Sequence, residues 1–223
     1  MNIDTSNPQD EVHQDLGTSM IRSATDPYAF QILGKLVDVI STKKTALLIL
    51  SQIEIVDKLI KLYGLYSSIH NDMFLNKIVG FLNGCEKINQ GEKTEFGRRL
   101  ENDADYRKKV GENLLLILDR LDNFDKTEIL GKVFAGRYRG EIDEATFFRL
   151  AAAICNASIT DLKTLSLSYD KITNKNERLD DATSQSLYSL GFVRAEGLAE
   201  IIYHPNELGS NLIRLMKSNI ADK

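Results

Sequence analysis

The sequence predicts a mostly α-helical protein with one short β-hairpin near its C-terminus. Only three of the 223 residues are proline, at positions 8, 27 and 205, so the span 28–204 lacks the residue that most reliably breaks helices. Apolar residues recur there at intervals of three and four, which is the period of an amphipathic helix. Near the end, two short apolar runs flank a glycine-containing turn, which is typical of a hairpin. We therefore predict an N-terminal helical bundle followed by a small helix–hairpin–helix domain.

Composition limits the classes of function. With 43% hydrophobic and 27% charged residues, the chain is ordinary globular material that can bury a core. A formal net charge of −4 removes a general attraction to nucleic acid. Cys85 and Cys155 lack metal-binding spacing and predict free thiols in a reducing cytoplasm. The polar, acidic first 17 residues are unlike a signal peptide, so we expect a cytoplasmic protein.

The first 41 residues predict a leader and one helix. Residues 1–26 are rich in polar side chains and predict a mobile leader. Asp26 and Pro27 then mark the start of a helical domain that we place at 27–157, with its first helix at 27–41.

Residues 43–66 form the most apolar segment and raise the question of a membrane helix. Their longest uninterrupted apolar run is 46–50, whereas a span needs about 20 mostly apolar residues. Ile53, Val56 and Ile60 share one helical face, which favours packing against a core. A peripheral membrane helix would show the same pattern with its lysines at the headgroups, so membrane contact stays as the third and least favoured hypothesis.

A further helix is expected after Asp72, and its Gly80 and Gly84 are spaced to permit close helix approach. Residues 103–167 then predict three more helices. The leucine-rich run 114–121 leaves little polar face, which predicts that its helix is buried at the centre of the bundle. The expected N-caps and helix stop are Asp103 or Asp105, Asp125 paired with Glu128, Gly140 as the stop, and Asp143.

Residues 70–167 resemble a group of uncharacterised bacterial helical proteins. The features that carry the resemblance are the run 106–112, the Leu-Leu-Ile-Leu-Asp-Arg-Leu-Asp core at 115–122, the helix and turn at 126–140, and Ser-Ile-Thr-Asp-Leu at 158–162. The resemblance implies a bacterial or prophage setting and a role in phage defence or stress. It brings no catalytic residues. Relatives with an upstream glycine-rich apolar segment suggest membrane contact, but this chain has charged residues there.

Residues 158–223 form the predicted second domain. Leu190-Gly191-Phe192-Val193 and the later run 203–209 are similar to the pattern of winged-helix domains in bacterial regulators. This resemblance implies a helix at about 179–190 that would enter the major groove, and a wing at 194–202. The helix begins with two aspartates, and the wing carries Arg194 against two glutamates. Nucleic acid is therefore an allowed partner that the charge disfavours.

The sequence contains no Walker loop, GxGxxG, HExxH or GxSxG motif, and we predict neither catalytic residues nor a cofactor or metal site. The leading hypothesis is a non-enzymatic cytoplasmic bacterial protein that acts by protein–protein contacts or self-association, as a phage-defence or accessory component. Its predicted partner-binding residues are Arg137, Tyr138, Arg139 and Arg194. The alternative is a winged-helix DNA-binding transcriptional regulator, and its predicted DNA-binding residues are Ser184, Gln185, Tyr188 and Arg194.

Overall fold

The computed structural model describes residues 8–38, 46, 49–63, 69–85, 88, 94–175, 178–197 and 200–217. Within these residues the chain is mostly helical, with one two-stranded antiparallel hairpin near the C-terminus, as predicted. The elements are α1 Pro8–Thr25, α2 Pro27–Asp38, α3 Glu54–Tyr63, α4 Ile69–Gly84, α5 Glu95–Asn102, α6 Ala104–Arg120, α7 Phe124–Tyr138, α8 Glu144–Asn156, α9 Ile159–Lys175, α10 Asp181–Ser189, β1 Val193–Glu196, β2 Ile202–Pro205 and α11 Glu207–Lys217.

One cluster of buried apolar side chains extends from Leu16 in α1 to Leu215 in α11. It receives residues from the helical bundle and from the hairpin alike, including Phe192 and Val193. The division between residues 157 and 158 stays a prediction.

The prediction of a mobile leader is wrong for Pro8–Thr25, because α1 packs along α6. Met20 and Ile21 are fully buried, and the backbones of Gly17 and Gly111 touch so closely that a Cβ on Gly111 would lie 2.7 Å from the Gly17 Cα. The polar residues that suggested a leader are partly used inside: the Ser19 hydroxyl donates to Glu54 Oε1 at 3.0 Å. Small polar side chains thus line a helix interface here. Their polarity alone does not predict that they are buried.

The centre of the bundle is α7 and not α6. Leu114, Leu118 and Leu121 are buried, but Leu116 is 67% exposed, so the leucine-rich run has only one buried face. Helix α7 instead contacts α4, α5, α8 and α11, and most of its residues are buried. The prediction that the 114–121 helix is central is wrong, because it was based on the number of large apolar residues in that helix. In α7, small residues instead allow the neighbouring helices to approach from several sides.

Close approach of α4 to α7 confirms the significance of the glycine spacing. A Cβ on Gly131 would lie 2.8 Å from the Gly84 Cα and would overlap the carbonyl oxygen of Phe81. One helical turn before this contact on each helix, Gly80 of α4 faces Thr127 of α7. The two backbones therefore cross in near contact, and the large side chains on either side interdigitate around them.

Three of the expected helix ends are confirmed. Asp103 accepts the Tyr106 N–H and Asp143 accepts the Thr146 N–H, and Gly140 adopts φ +76°. The predicted capping box at Asp125 is wrong, because the N-cap of α7 lies two residues earlier, at Asn123, whose Oδ1 accepts the Asp125 N–H at 2.8 Å.

Two other helix starts also differ from the prediction. Helix α3 begins at Glu54 after a turn, and α4 begins at Ile69, three residues before Asp72. Residues 43–45, 47 and 48 lie outside the described residues. Among the helices that are described, none has the length and apolar character needed to cross a membrane.

The hairpin lies between α10 and α11. Arg194 pairs with His204 and Ala195 with Tyr203 in antiparallel register, and Gly197 at φ +113° begins the connection between the strands. Residues 198 and 199 of the predicted wing lie outside the described residues. Helix, hairpin and helix thus follow one another in the predicted order, with α10 against β1 and α9 against β2.

Candidate interaction surface

The exposed side chains of α10 and the hairpin form one surface, which we call the C-terminal face. Asp180 starts α10 by accepting the Thr183 N–H at 2.9 Å, and Leu187 anchors this helix in the core. Asn206 links the turn after α10 to the start of α11. Its Nδ2 donates to Gly191 O at 2.7 Å, and its Oδ1 accepts the Gly209 N–H at 3.0 Å. Local caps and buried anchors therefore fix the orientation of this face.

The structure separates the predicted DNA-binding residues. Gln185, Tyr188 and Arg194 are exposed on the C-terminal face. Ser184 is 3% exposed because it precedes Leu187 by three residues and shares its inward side of α10. The inclusion of Ser184 in an exposed set is therefore wrong.

The C-terminal face displays two large side chains with apolar surface. Tyr188 is 53% exposed, and its ring packs edge-on against Tyr203 with the centroids 5.8 Å apart. Ile201 is 55% exposed beside the start of β2. The face is thus partly aromatic, and the ring of Tyr188 is held by its contact with the ring of Tyr203.

Each cation in the described residues 178–197 and 200–217 has a carboxylate partner. Arg194 Nε lies 2.8 Å from Glu196, Arg214 lies 2.6 Å from Glu141, and Lys217 lies 3.0 Å from Asp170. Arg178 pairs with Glu200, and this hydrogen bond lowers the pKa of the Glu200 carboxyl. These pairs are solvent-exposed and individually weak. Together they leave the segment without a cluster of positive charge.

The predicted partner-binding residues of the turn at 137–139 are buried or half-buried. Tyr138 is 3% exposed, with its ring against Gly97. The Arg137 guanidinium lies over the Phe96 ring at 4.5 Å, and Arg139 Nε lies 2.5 Å from Glu141 Oε1. The exposure was misjudged because this turn ends the central helix. A partner-binding role for these three residues stays a prediction.

A groove of about 670 Å³ adjoins the C-terminal face, and we call it the junction groove. Helix α8, the turn after α10 and the first turn of α11 form its walls. Its polar lining residues include Thr146, Arg149, Asn156, Asn206, Glu207 and Asn211. Leu190 and Leu208 add apolar surface, so the groove offers amide, charged and apolar groups together. Sequence reasoning missed it, because three separate segments meet there and no single motif marks them.

Chemistry-bearing side chains are sparse in the described part of the chain. It holds no group of three or more His, Cys, Asp or Glu side chains placed to bind a metal ion. Cys85 is buried and Cys155 half-buried, both are free thiols, and burial raises the pKa of each thiol. His204 Nε2 lies 3.8 Å from Glu196 at the surface of the hairpin.

No family model, no curated protein and no solved structure matches this chain. The resemblances to bacterial helical proteins and to winged-helix domains accordingly stay predictions.

Proposed function

We propose that this protein is a non-enzymatic cytoplasmic protein that binds a protein partner, or a second copy of itself, through the C-terminal face. The pairing of every described cation of that segment with a carboxylate is the observation that carries the proposal. A surface that recognises phosphates needs arginines and lysines free to contact them. Here the same side chains are engaged within the protein.

The apolar part of the face supports the same proposal. Exposed tyrosine is enriched at protein interfaces, where its ring contributes contact area and its hydroxyl group stays hydrated. Tyr188 and Ile201 are each more than half exposed, and the junction groove begins at Ser189, the residue after Tyr188. A partner segment that covers Tyr188 can therefore extend into the groove and contact its asparagine side chains.

The second candidate is a winged-helix DNA-binding regulator, for which the helix–hairpin–helix order is the supporting observation. Its contacts would come from Gln185, Tyr188 and Arg194, without the buried Ser184. Arg194 would have to break its ion pair with Glu196 to reach a DNA phosphate. The aspartates at the start of α10 would also repel the negatively charged phosphate groups of DNA. We rank this candidate below a protein-binding role. The bacterial setting and the role in phage defence or stress belong to the proposal as implications of the resemblance.

Site-specific photo-crosslinking tests the protein-binding proposal. A photoreactive amino acid at Tyr188 or Gln185 is expected to capture the same discrete protein in cells, and Ile201→Asp is expected to reduce that capture. The matched control places the photoreactive residue at Leu116, which is 67% exposed on α6 and distant in sequence from the face. Equal capture from position 116, or no discrete product from positions 185 and 188, would exclude the proposal.

A further inference from the structure

The junction groove is open to solvent along its rims. Five of the residues that line it are exposed, namely Arg149, Ala152, Asn156, Ser189 and Glu207. Sites for small molecules are concave and bury most of the ligand's surface, whereas a groove with such exposed walls would leave much of a small ligand in water. The groove is therefore better suited to a second protein surface, which covers the rims as well as the floor.

Arg149 is an unpaired cation on the α8 wall of this groove. Among the described residues, no carboxylate lies within ion-pair distance of its guanidinium. The arginines of the neighbouring elements differ in this respect, because Arg139, Arg178, Arg194 and Arg214 each contact a carboxylate. The charge of Arg149 is therefore available to a partner.

Glu207 is an unpaired anion on the α11 wall. It is the first residue of α11, and no cationic side chain in the described part of the chain lies within ion-pair distance of its carboxylate. It does not pair with Arg149, although both residues line the same groove. Two opposite charges thus face one open space without neutralising each other.

We propose that the junction groove is the contact surface of a twofold homodimer, in which Arg149 of each copy pairs with Glu207 of the other. A twofold axis that runs along the groove places the α8 wall of one copy against the α11 wall of the second. In such an isologous interface every contact occurs twice, so one cation and one anion on each copy form two ion pairs. This inference rests on the proposed function, because it names a second copy as the protein partner.

The rest of the surface is compatible with self-association. Tyr188 and Ile201 are each more than half exposed on the adjoining C-terminal face and offer apolar contact area. The formal net charge of −4 is small for a chain of 223 residues, so two copies repel each other only weakly. Apolar contact thus supplies attraction, while the two ion pairs fix the orientation of the copies.

Sedimentation velocity of the purified full-length protein over the micromolar range tests the inference. We expect a concentration-dependent equilibrium between monomer and dimer. Arg149→Glu and Glu207→Arg each place like charges opposite one another at both contacts. Each reversal is therefore expected to raise the dissociation constant of the dimer at least about tenfold.

An equimolar mixture of these two variants is expected to recover the dimer, because acidic positions of one chain then face basic positions of the other at both contacts. This recovery would also show that both variants are folded. The double variant Arg149→Glu, Glu207→Arg exchanges the two charges and should dimerise like the parent protein. The matched control is Lys109→Glu, which makes the same change in charge at an exposed residue of α6 and should leave the dimer unchanged.

A parent protein that stays monomeric over this range would overturn the inference, and so would a dimer that neither reversal weakens. A monomeric mixture of variants that circular dichroism shows to be folded would have the same meaning. Failure of the proposed function is a separate outcome. A monomeric parent protein whose positions 185 and 188 capture a different protein overturns the homodimer and leaves the protein-binding role intact.

Discussion

Gly131 is the residue at which one additional carbon should matter most. A Cβ there would overlap the carbonyl oxygen of Phe81 and lie 2.8 Å from the Gly84 Cα, and these are backbone atoms that cannot rotate away. Gly131→Ala therefore forces α4 and α7 apart and opens the packing around Phe81 and Phe134. We expect a loss of about 3 kcal/mol or more in the free energy of unfolding, measured by chemical denaturation.

The control for this substitution is Asn83→Ala, an exposed position on α4, the helix that Gly131 contacts. It should change the free energy of unfolding by no more than about 0.5 kcal/mol, as surface substitutions usually do. A Gly131→Ala protein as stable as Asn83→Ala would show that the two helices do not approach as closely as described.

Three aspartate N-caps give the stability a dependence on acid. The backbone N–H of Tyr106 lowers the pKa of the Asp103 carboxyl, and that of Thr183 lowers the pKa of the Asp180 carboxyl. Hydrogen bonds from Thr146 lower the pKa of the Asp143 carboxyl. Since each pKa is lower in the folded state than in the unfolded state, the unfolded chain binds more protons in mild acid. The stabilisation is complete above the ordinary aspartate pKa and is lost as the pH falls through the folded value.

The triple variant Asp103→Asn, Asp143→Asn and Asp180→Asn keeps a capping oxygen at each site but removes the titrating group. We expect its free energy of unfolding to fall less steeply between about pH 5 and pH 2 than that of the parent protein. Urea denaturation across this pH range measures the slopes. Parallel curves for the two proteins would contradict the capping account.

At the scale of elements, Glu141 joins the C-terminal helix to the bundle. Its Oε1 lies 2.5 Å from Arg139 Nε, its Oε2 accepts from Arg214 at 2.6 Å, and its main-chain oxygen accepts from Arg214 Nη2 at 3.1 Å. One carboxylate thus bridges the end of α7 and the exposed side of α11.

Glu141→Gln keeps the shape of the side chain but removes its charge. Because hydrogen bonds to charged groups are stronger than neutral ones and this pair is partly exposed, we expect a loss of about 1 kcal/mol. Amide hydrogen exchange should show faster exchange in α11. Glu200→Gln, which breaks the exposed pair with Arg178, is the control and should leave α11 unchanged. Unaltered exchange in the Glu141→Gln protein would refute the bridging role.

Elements that depend on nearby residues were predictable from the sequence. Asp103, Asp143 and Gly140 mark helix ends through contacts within a few residues, and all three predictions are confirmed. The hairpin follows from its two apolar runs and its glycine. Helix α1 was missed because its burial depends on α6, which lies about 90 residues away in sequence.

Over the whole molecule, the candidate site was only partly predictable. Exposure of Tyr188 and Arg194 followed from the predicted α10 and hairpin, but burial of Ser184 and Tyr138 depended on which side each helix turns toward the core. The junction groove is formed by segments distant in sequence, so no local pattern indicates it. The partner of Arg194 likewise required the three-dimensional register of the hairpin.

Charge distribution is the property of the whole molecule that decides between the two candidate functions. The chain carries 28 basic and 32 acidic residues, and the described cations of its C-terminal segment are each beside a carboxylate. A protein of this kind gains little by releasing counterions from DNA. We therefore expect that the C-terminal face does not bind polyanions such as DNA but can pack against another protein.

Fluorescence anisotropy of a labelled DNA duplex of mixed sequence, titrated with the full-length protein at low ionic strength, tests this claim most directly. We predict no saturable increase in anisotropy, even under these conditions where electrostatic binding is strongest. Saturable binding that weakens with added salt, and that disappears in a folded Arg194→Gln variant, would contradict the claim and favour the regulator.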